Sequence, residues 1–183
     1  TGTGNTDNMN QQYVELHCHS NYSFQEGASF INELLIHAVE LGYIALAITD
    51  HDNLCGAMEF TRVAHSVEIQ PIIGAEVTLT GGYHLTLLAE NRHGYGNLCQ
   101  IISAAHLRND RREPEIDSRF LENHAEGLIL LSGCRKGEVA SLVESGHFKE
   151  AEVVLKHYLE YFATDNVYVE LQNNLVYGDT ERN

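Results

Sequence analysis

The sequence predicts an α/β protein in which strands and helices alternate around a mostly parallel sheet. Two runs, YIALAIT (43–49) and GLILLSG (127–133), read as strands buried on both faces. Between such runs lie segments with apolar residues three and four apart, as at Ile31, Leu34, Leu35, Ala38 and Leu41. The two kinds of segment follow one another along the chain, the pattern of strands joined through helical crossovers.

The elements follow in order. YVELH (13–17) is a short strand, and 30–41 is a helix stopped by Gly42. The second strand, 43–49, leads to a helix over 54–66. IIGAEVTLT (72–80), the Gly81-Gly82 turn and YHLTLLA (83–89) form a hairpin. Residues 95–106 are helical, RNDRREPE (108–115) is a polar loop, and 116–123 is a short helix. The fifth strand, 127–133, precedes two helices, 138–144 and 147–162, and VYVELQ (167–172) is the sixth strand. Six strands suit an open sheet or most of a barrel. In either, function gathers at the C-terminal ends of the strands.

The 183 residues suffice for one core and one domain. The polar stretch 1–8 reads as an appended leader, with Met9 as the natural start. No signal peptide and no apolar run of membrane-spanning length is present. The formal charge of −15 argues against a broad basic groove for nucleic acid. It does not exclude a phosphate-directed metal site, because bound cations invert the local charge. Four cysteines without a CxxC pair point to a reducing cytoplasm.

The strand ends carry the chemistry. The first gives His17 and His19, two residues apart and so on one side. The second gives Asp50, His51 and Asp52 in TDHD. The third carries Glu76 in GAE, an acid among apolar neighbours that needs a partner. The fourth starts near His84, which a hairpin returns towards Glu76. The fifth ends at Cys134 and the sixth carries Glu170, a candidate at the site's edge. HxH alone is weak; HxH, TDH and GxE at successive strand ends is a strong signal for a metal centre. Imidazole and carboxylate suit zinc, manganese or iron. His51 and Asp50 are the catalytic candidates, His51 as ligand and Asp50 as the carboxylate that orients a ligating imidazole. His37, His65, His93, His106, His124, His147 and His157 read as surface, packing or capping residues. Arg108, Arg111 and Arg112 form a basic loop, solvated or facing phosphate.

LHCHSNYSFQEGAS, ALAITDHDNLCGAMEF, PIIGAEV, YHLTLLAENRHGYGNLCQIIS and GLILLSGCRKGEV, in this order, resemble the PHP (polymerase and histidinol phosphatase) family. They look most like the amino-terminal PHP domain of the bacterial DNA polymerase III alpha subunit and its error-prone relatives. DHDNLCGA and the N-GY-NL stretch favour that branch over free-standing phosphatases.

The resemblance implies a distorted (β/α)7 barrel with a site for up to three divalent metal ions. His17 and His19 match the family's first HxH pair, and Glu26 falls where another ligand, often Asp or His, is found. His51 matches the second motif's ligand, Glu76 the bridging carboxylate, and His84 the next histidine. Cys134 stands where many members carry a metal-binding His or Cys. The family's last motif, Asp-x-His, has no counterpart before Asn183. The expectation is therefore a domain cut short before its last strand, a piece of a longer polymerase, with incomplete metal binding and lowered or absent activity. Expected partners are the rest of that chain, DNA through the full-length protein, and a proofreading subunit. Three functions compete: phosphoester or pyrophosphate hydrolysis, including 3′–5′ proofreading; a non-catalytic docking module; and a free-standing phosphatase.

Overall fold

The computed structural model describes residues 13–108 and 113–173. The leader, the polar tail beyond 173, and Arg111 and Arg112 of the basic loop lie outside the described residues. Five strands form one sheet in chain order: β1 (Ala45–Ile48), β2 (Gln70–Leu79), β3 (Tyr83–Ala89), β4 (Leu128–Leu131) and β5 (Val167–Tyr168). β1 pairs with β2, and β4 with β5, in parallel; β3 pairs antiparallel with both β2 and β4.

The expectation of a mostly parallel sheet is thus corrected to a mixed one. The Gly81-Gly82 turn reverses β3, with φ of +97° and +78° at the two glycines. β4 runs with β2 and therefore against β3. Four strands point one way, and the start of β3 comes to the edge where they end. The segment 13–17 is not a regular strand. It runs parallel to β1 through a single bridge between Glu15 and Leu46, and Ala47 N–H donates to the Glu15 carbonyl at 2.9 Å. The sixth predicted strand is regular only at β5. No backbone pairing joins β5 to the 13–17 segment among the described residues, so the sheet is not closed.

Five helices cover the sheet's outer face: α1 (Ile31–Glu40), α2 (Ala57–Ser66), α3 (Arg92–Arg108), α4 (Glu138–Glu144) and α5 (Phe148–Tyr161). Helix α3 starts three residues earlier than the periodicity suggests. Asn91 Oδ1 accepts from the His93 and Gly94 N–H groups at 2.9 and 3.0 Å, a side-chain cap that overrides the two glycines nearby. The predicted helix at 116–123 is a 3-10 helix, Ser118–Asn123, capped by Asp117. Arg108 lies over the Phe120 ring at 4.6 Å, so its guanidinium is engaged in packing. No helix among the described residues is long and apolar enough to cross a membrane.

Strand alternation sorts the side chains. Ala75, Val77, Leu85 and Leu87 point to the main core under α3, with Leu98 and Ile101. Leu46 and Ile48 meet Leu35, Phe60 and Ala64 of α1 and α2 in a second cluster. The intervening residues of β2 and β3 face the other way. Cross-strand partners share a face, so the pairs Glu76 with Thr86 and Thr78 with His84 line one side together.

Candidate metal centre

Glu76 is the hub. Its side chain is buried among histidines, with the residue only 2% exposed. Oε2 lies 2.7 Å from His17 Nε2 and 3.8 Å from His19 Nε2. Oε1 lies 3.2 Å from His51 Nδ1 and in contact with His84 Nδ1. The two histidine nitrogens of the HxH pair are 3.3 Å apart. Two three-residue groups result, His17–His19–Glu76 and His51–Glu76–His84. In each, the potential ligand atoms lie within 4.8 Å of one another, and both share the one carboxylate.

Local folding explains this convergence. His17 and His19 leave the edge of the sheet in a segment pinned to β1 by a hydrogen bond from Thr49 N–H to the Cys18 carbonyl, 2.8 Å. His51 follows β1 and makes a parallel bridge with Glu76 on β2. His84 begins β3, and the hairpin brings it opposite Thr78, two residues beyond Glu76. Glu26 and Cys134 flank the hub. Glu26 Oε2 is 2.9 Å from His51 Nδ1, and Cys134 Sγ is 3.6 Å from His84 Nδ1. At the rim, Lys136 Nζ stands 3.4 Å from Glu26 Oε1.

Asp50, the carboxylate expected to orient a ligating histidine, faces the 20–27 loop. Asp50 accepts from Ser20 N–H at 2.7 Å, from Ser20 Oγ at 2.8 Å and from Ser23 Oγ at 2.7 Å. It builds the 20–27 loop, whose Ser23 Oγ accepts from the His51 N–H at 3.0 Å. The carboxylate that reaches the His51 ring is Asp52, whose Oδ2 lies 2.9 Å from His51 Nε2. Asp52 also accepts from Thr78 N–H and Thr78 Oγ1 at 2.8 and 2.7 Å. His106, read as surface or packing, approaches the Asp52 carbonyl through Nε2 at 2.7 Å. His17 has its own carboxylate: Nδ1 is 2.6 Å from Glu170 Oε1. Asp52 and Glu170 both stood at strand ends in the sequence. Thr78 and Thr86, which approaches His17 Nδ1 at 3.2 Å, carried no signal there.

The electrostatics are those of a site short of positive charge. Burial opposes a charge on His17, yet the Glu170 and Glu76 carboxylates outweigh it and raise the imidazole to about 9. Burial likewise opposes a charge on His51, and Asp52 and Glu76 overcome it to raise the ring to about 10. Burial favours neutral Glu76, but His17, His51 and His84 hold its carboxyl far below the ordinary range. For His19 burial prevails and lowers the pKa. Burial, with Glu76 nearby, pushes the Cys134 thiol up to about 11.

These residues fit divalent cations. His51 Nδ1 is buried without a hydrogen-bond partner although Glu26 and Glu76 oxygens crowd it. Four imidazoles converge on one carboxylate, a donor set of nitrogen and oxygen that suits zinc, manganese or iron.

Residues 15–174 match the PHP domain. The chain belongs to the PHP domain family. This PHP domain is 42% identical over 187 residues to an error-prone DNA polymerase of Symbiobacterium thermophilum, covering 93% of this chain and 17% of that protein. It is 39% identical over 176 residues to the DNA polymerase III subunit alpha of Treponema pallidum, covering 88% and 15%. In both, the matched region is the N-terminal PHP region of the polymerase. The chain thus spans about one-sixth of the length of these curated relatives. Among solved structures it is similar to an amidohydrolase of Chromobacterium violaceum, with TM-score 0.44 and 23% identity, covering 78% of this chain and 54% of that one.

Proposed function

We propose that this chain is the metal-dependent phosphoesterase region of a bacterial polymerase of the DNA polymerase III alpha type. It acts on phosphodiester or pyrophosphate bonds, with 3′–5′ removal of mispaired ends as the proofreading form of that reaction. The observation that carries the reading is the bridging position of Glu76 between two histidine groups.

His17, His19 and Glu76 would hold one ion, and His51, Glu76 and His84 a second. Glu26 and Cys134 extend the second group on its two sides. Bound there, divalent ions would supply Lewis acidity and lower the pKa of a water for attack on phosphorus. The chain's own residues do the rest. Asp52 fixes the His51 ring, and the Asp50 scaffold sets the loop that carries Glu26. Lys136, exposed at the rim, meets the phosphoryl oxygens of an arriving substrate. The barrel reading is part of this proposal: with further strands, the sheet becomes a distorted seven-stranded barrel with helices outside. It is supported by the His17–Glu170 contact, which already spans the gap between the sheet's two edges. The cytoplasm, DNA and a separate proofreading subunit are the matching setting and partners.

A specific observation favours a second reading, a docking module. Ile36, Val39, Leu41 and Ile44, in and just after α1, are each exposed apolar side chains. Hydrolysis of a 3′-mismatched primer and of pyrophosphate, with zinc or manganese added to the full chain, separates the two. Metal-dependent release that Glu76→Gln abolishes supports the phosphoesterase. Metal uptake without turnover of either substrate sinks it in favour of docking.

A further inference from the structure

The two nitrogens of His17 face different worlds. Nε2 lies 2.7 Å from Glu76 Oε2 and 3.3 Å from His19 Nε2, inside the candidate metal group. Nδ1 lies 2.6 Å from Glu170 Oε1, outside it. We propose that Glu170 is a positioning residue: its carboxylate fixes Nε2 as the nitrogen that His17 presents to the metal. This rests on reading the histidine cluster as a metal centre.

The surroundings leave Glu170 as the acceptor for the Nδ1 proton. Gln172 Nε2 is 3.1 Å from Nδ1, but an amide nitrogen donates and cannot take that proton. It donates instead to Glu170 Oε1 at 2.6 Å and holds the carboxylate in place. Thr86 Oγ1 is farther from Nδ1, at 3.2 Å. The Glu170 backbone is itself fixed, because its N–H donates to Ser132 Oγ at 2.9 Å. Ser132 N–H in turn donates to the Tyr168 carbonyl of β5 at 2.9 Å.

Glu170 belongs to neither three-residue group, so its part is played through the ring of His17. Its other oxygen, Oε2, is buried without a hydrogen-bond partner. A buried carboxylate with one oxygen unpaired is a poor device for stability alone. Paired with a ligating imidazole, it is the arrangement that sets the tautomer and raises ligand basicity.

The test measures zinc affinity of the full chain by chelator competition for wild type, Glu170→Ala and Glu170→Gln. Ring nitrogen spectra of His17 are recorded in the zinc-loaded wild type. The expected spectrum has zinc on Nε2 and a downfield, strongly hydrogen-bonded proton on Nδ1. Glu170→Ala should bind zinc about 10- to 100-fold more weakly. Glu170→Gln, whose amide oxygen still accepts from Nδ1, should stay within about threefold of wild type. Zinc on Nδ1, or Glu170→Ala within about threefold of wild type, overturns the inference and leaves the metal centre standing. A wild-type chain that takes up no zinc overturns both. The wild-type spectrum needs no variant, so it decides the matter whether or not Glu170→Ala folds.

Discussion

His51 and Asp52, neighbours in the chain, meet side chain to side chain at 2.9 Å through Nε2 and Oδ2. A left-handed backbone at Asp52, φ +51°, accompanies this return of a carboxylate onto the preceding ring. Asp52 also secures both the N–H and the hydroxyl of Thr78. Asp52→Ala therefore strips three donors at once in a buried place. The expected loss is about 1–3 kcal/mol in urea unfolding of the metal-free chain. Zinc binding at the His51 group should weaken about 10- to 100-fold. Unchanged zinc titrations would show that Asp52 does not orient the ring.

The raised histidines set a pH dependence of stability. His17 and His51 have folded values of about 9 and about 10 against an ordinary 6.5. Their pairing with carboxylates is fully stabilising below about 6.5 and is lost as pH rises through 9 to 10. Glu76 is shifted the other way: its contribution is present above its ordinary 4.5 and is lost as pH falls. The chelated chain should thus lose stability between pH 6.5 and 10, with a slope of up to about 1.4 kcal/mol per pH unit for each proton released. Zinc competes with the same protons, so its affinity should rise over that window. Thermal unfolding at several pH values, with and without zinc, reads both effects. A flat profile for the chelated chain would contradict the pairing.

Residue type at strand ends made most of the centre legible in the sequence. HxH, TDH and GAE each needed only a short apolar run beforehand, and the Gly81-Gly82 turn foretold the return of His84. What escaped depends on backbone direction that residue type does not encode. TDHD offers two acids beside one histidine, and only the turn at Asp52 decides which reaches the ring. The expected mostly parallel sheet became a mixed one because the predicted hairpin strand β3 also pairs with β4, a neighbour that alternating elements do not reveal. The first strand shrank to a single bridge, yet its two histidines still face the hub together. The partnership of Glu170 with His17 joins residues 153 positions apart, beyond any local pattern.

Glu76→Gln tests the shared bridge. A neutral amide keeps the volume but removes the charge that both histidine groups use. Metal per chain, by elemental analysis after reconstitution, should fall to near zero at both groups. Cys134→Ala, by contrast, should lower uptake only in part, because the thiol neighbours His84 alone among the hub's histidines. Equal loss in the two variants would put Cys134 at the heart of the centre. Full retention in Glu76→Gln would refute the bridge.

Gly27 offers a test of the loop that holds Glu26. A Cβ there would lie 1.9 Å from the Ser20 carbonyl oxygen, a backbone atom with no side-chain freedom to yield. The loop is closed by Gly27 N–H donating to the Ser23 carbonyl at 2.8 Å, and Ser20 is tied to Asp50. Gly27→Ala must therefore open the turn and draw Glu26 away from His51. The expected loss is about 1–3 kcal/mol in thermal unfolding. Metal binding should weaken at the His51 group and also at the His17–His19 group, because the added carbon would lie 3.3 Å from the His19 carbonyl carbon. Gly96→Ala is the control. It lies in α3 with nothing within 4 Å of the added carbon, and should stabilise the chain by about 0.4–1 kcal/mol. If the two substitutions behaved alike, the close approach at Gly27 would not be what shapes the site.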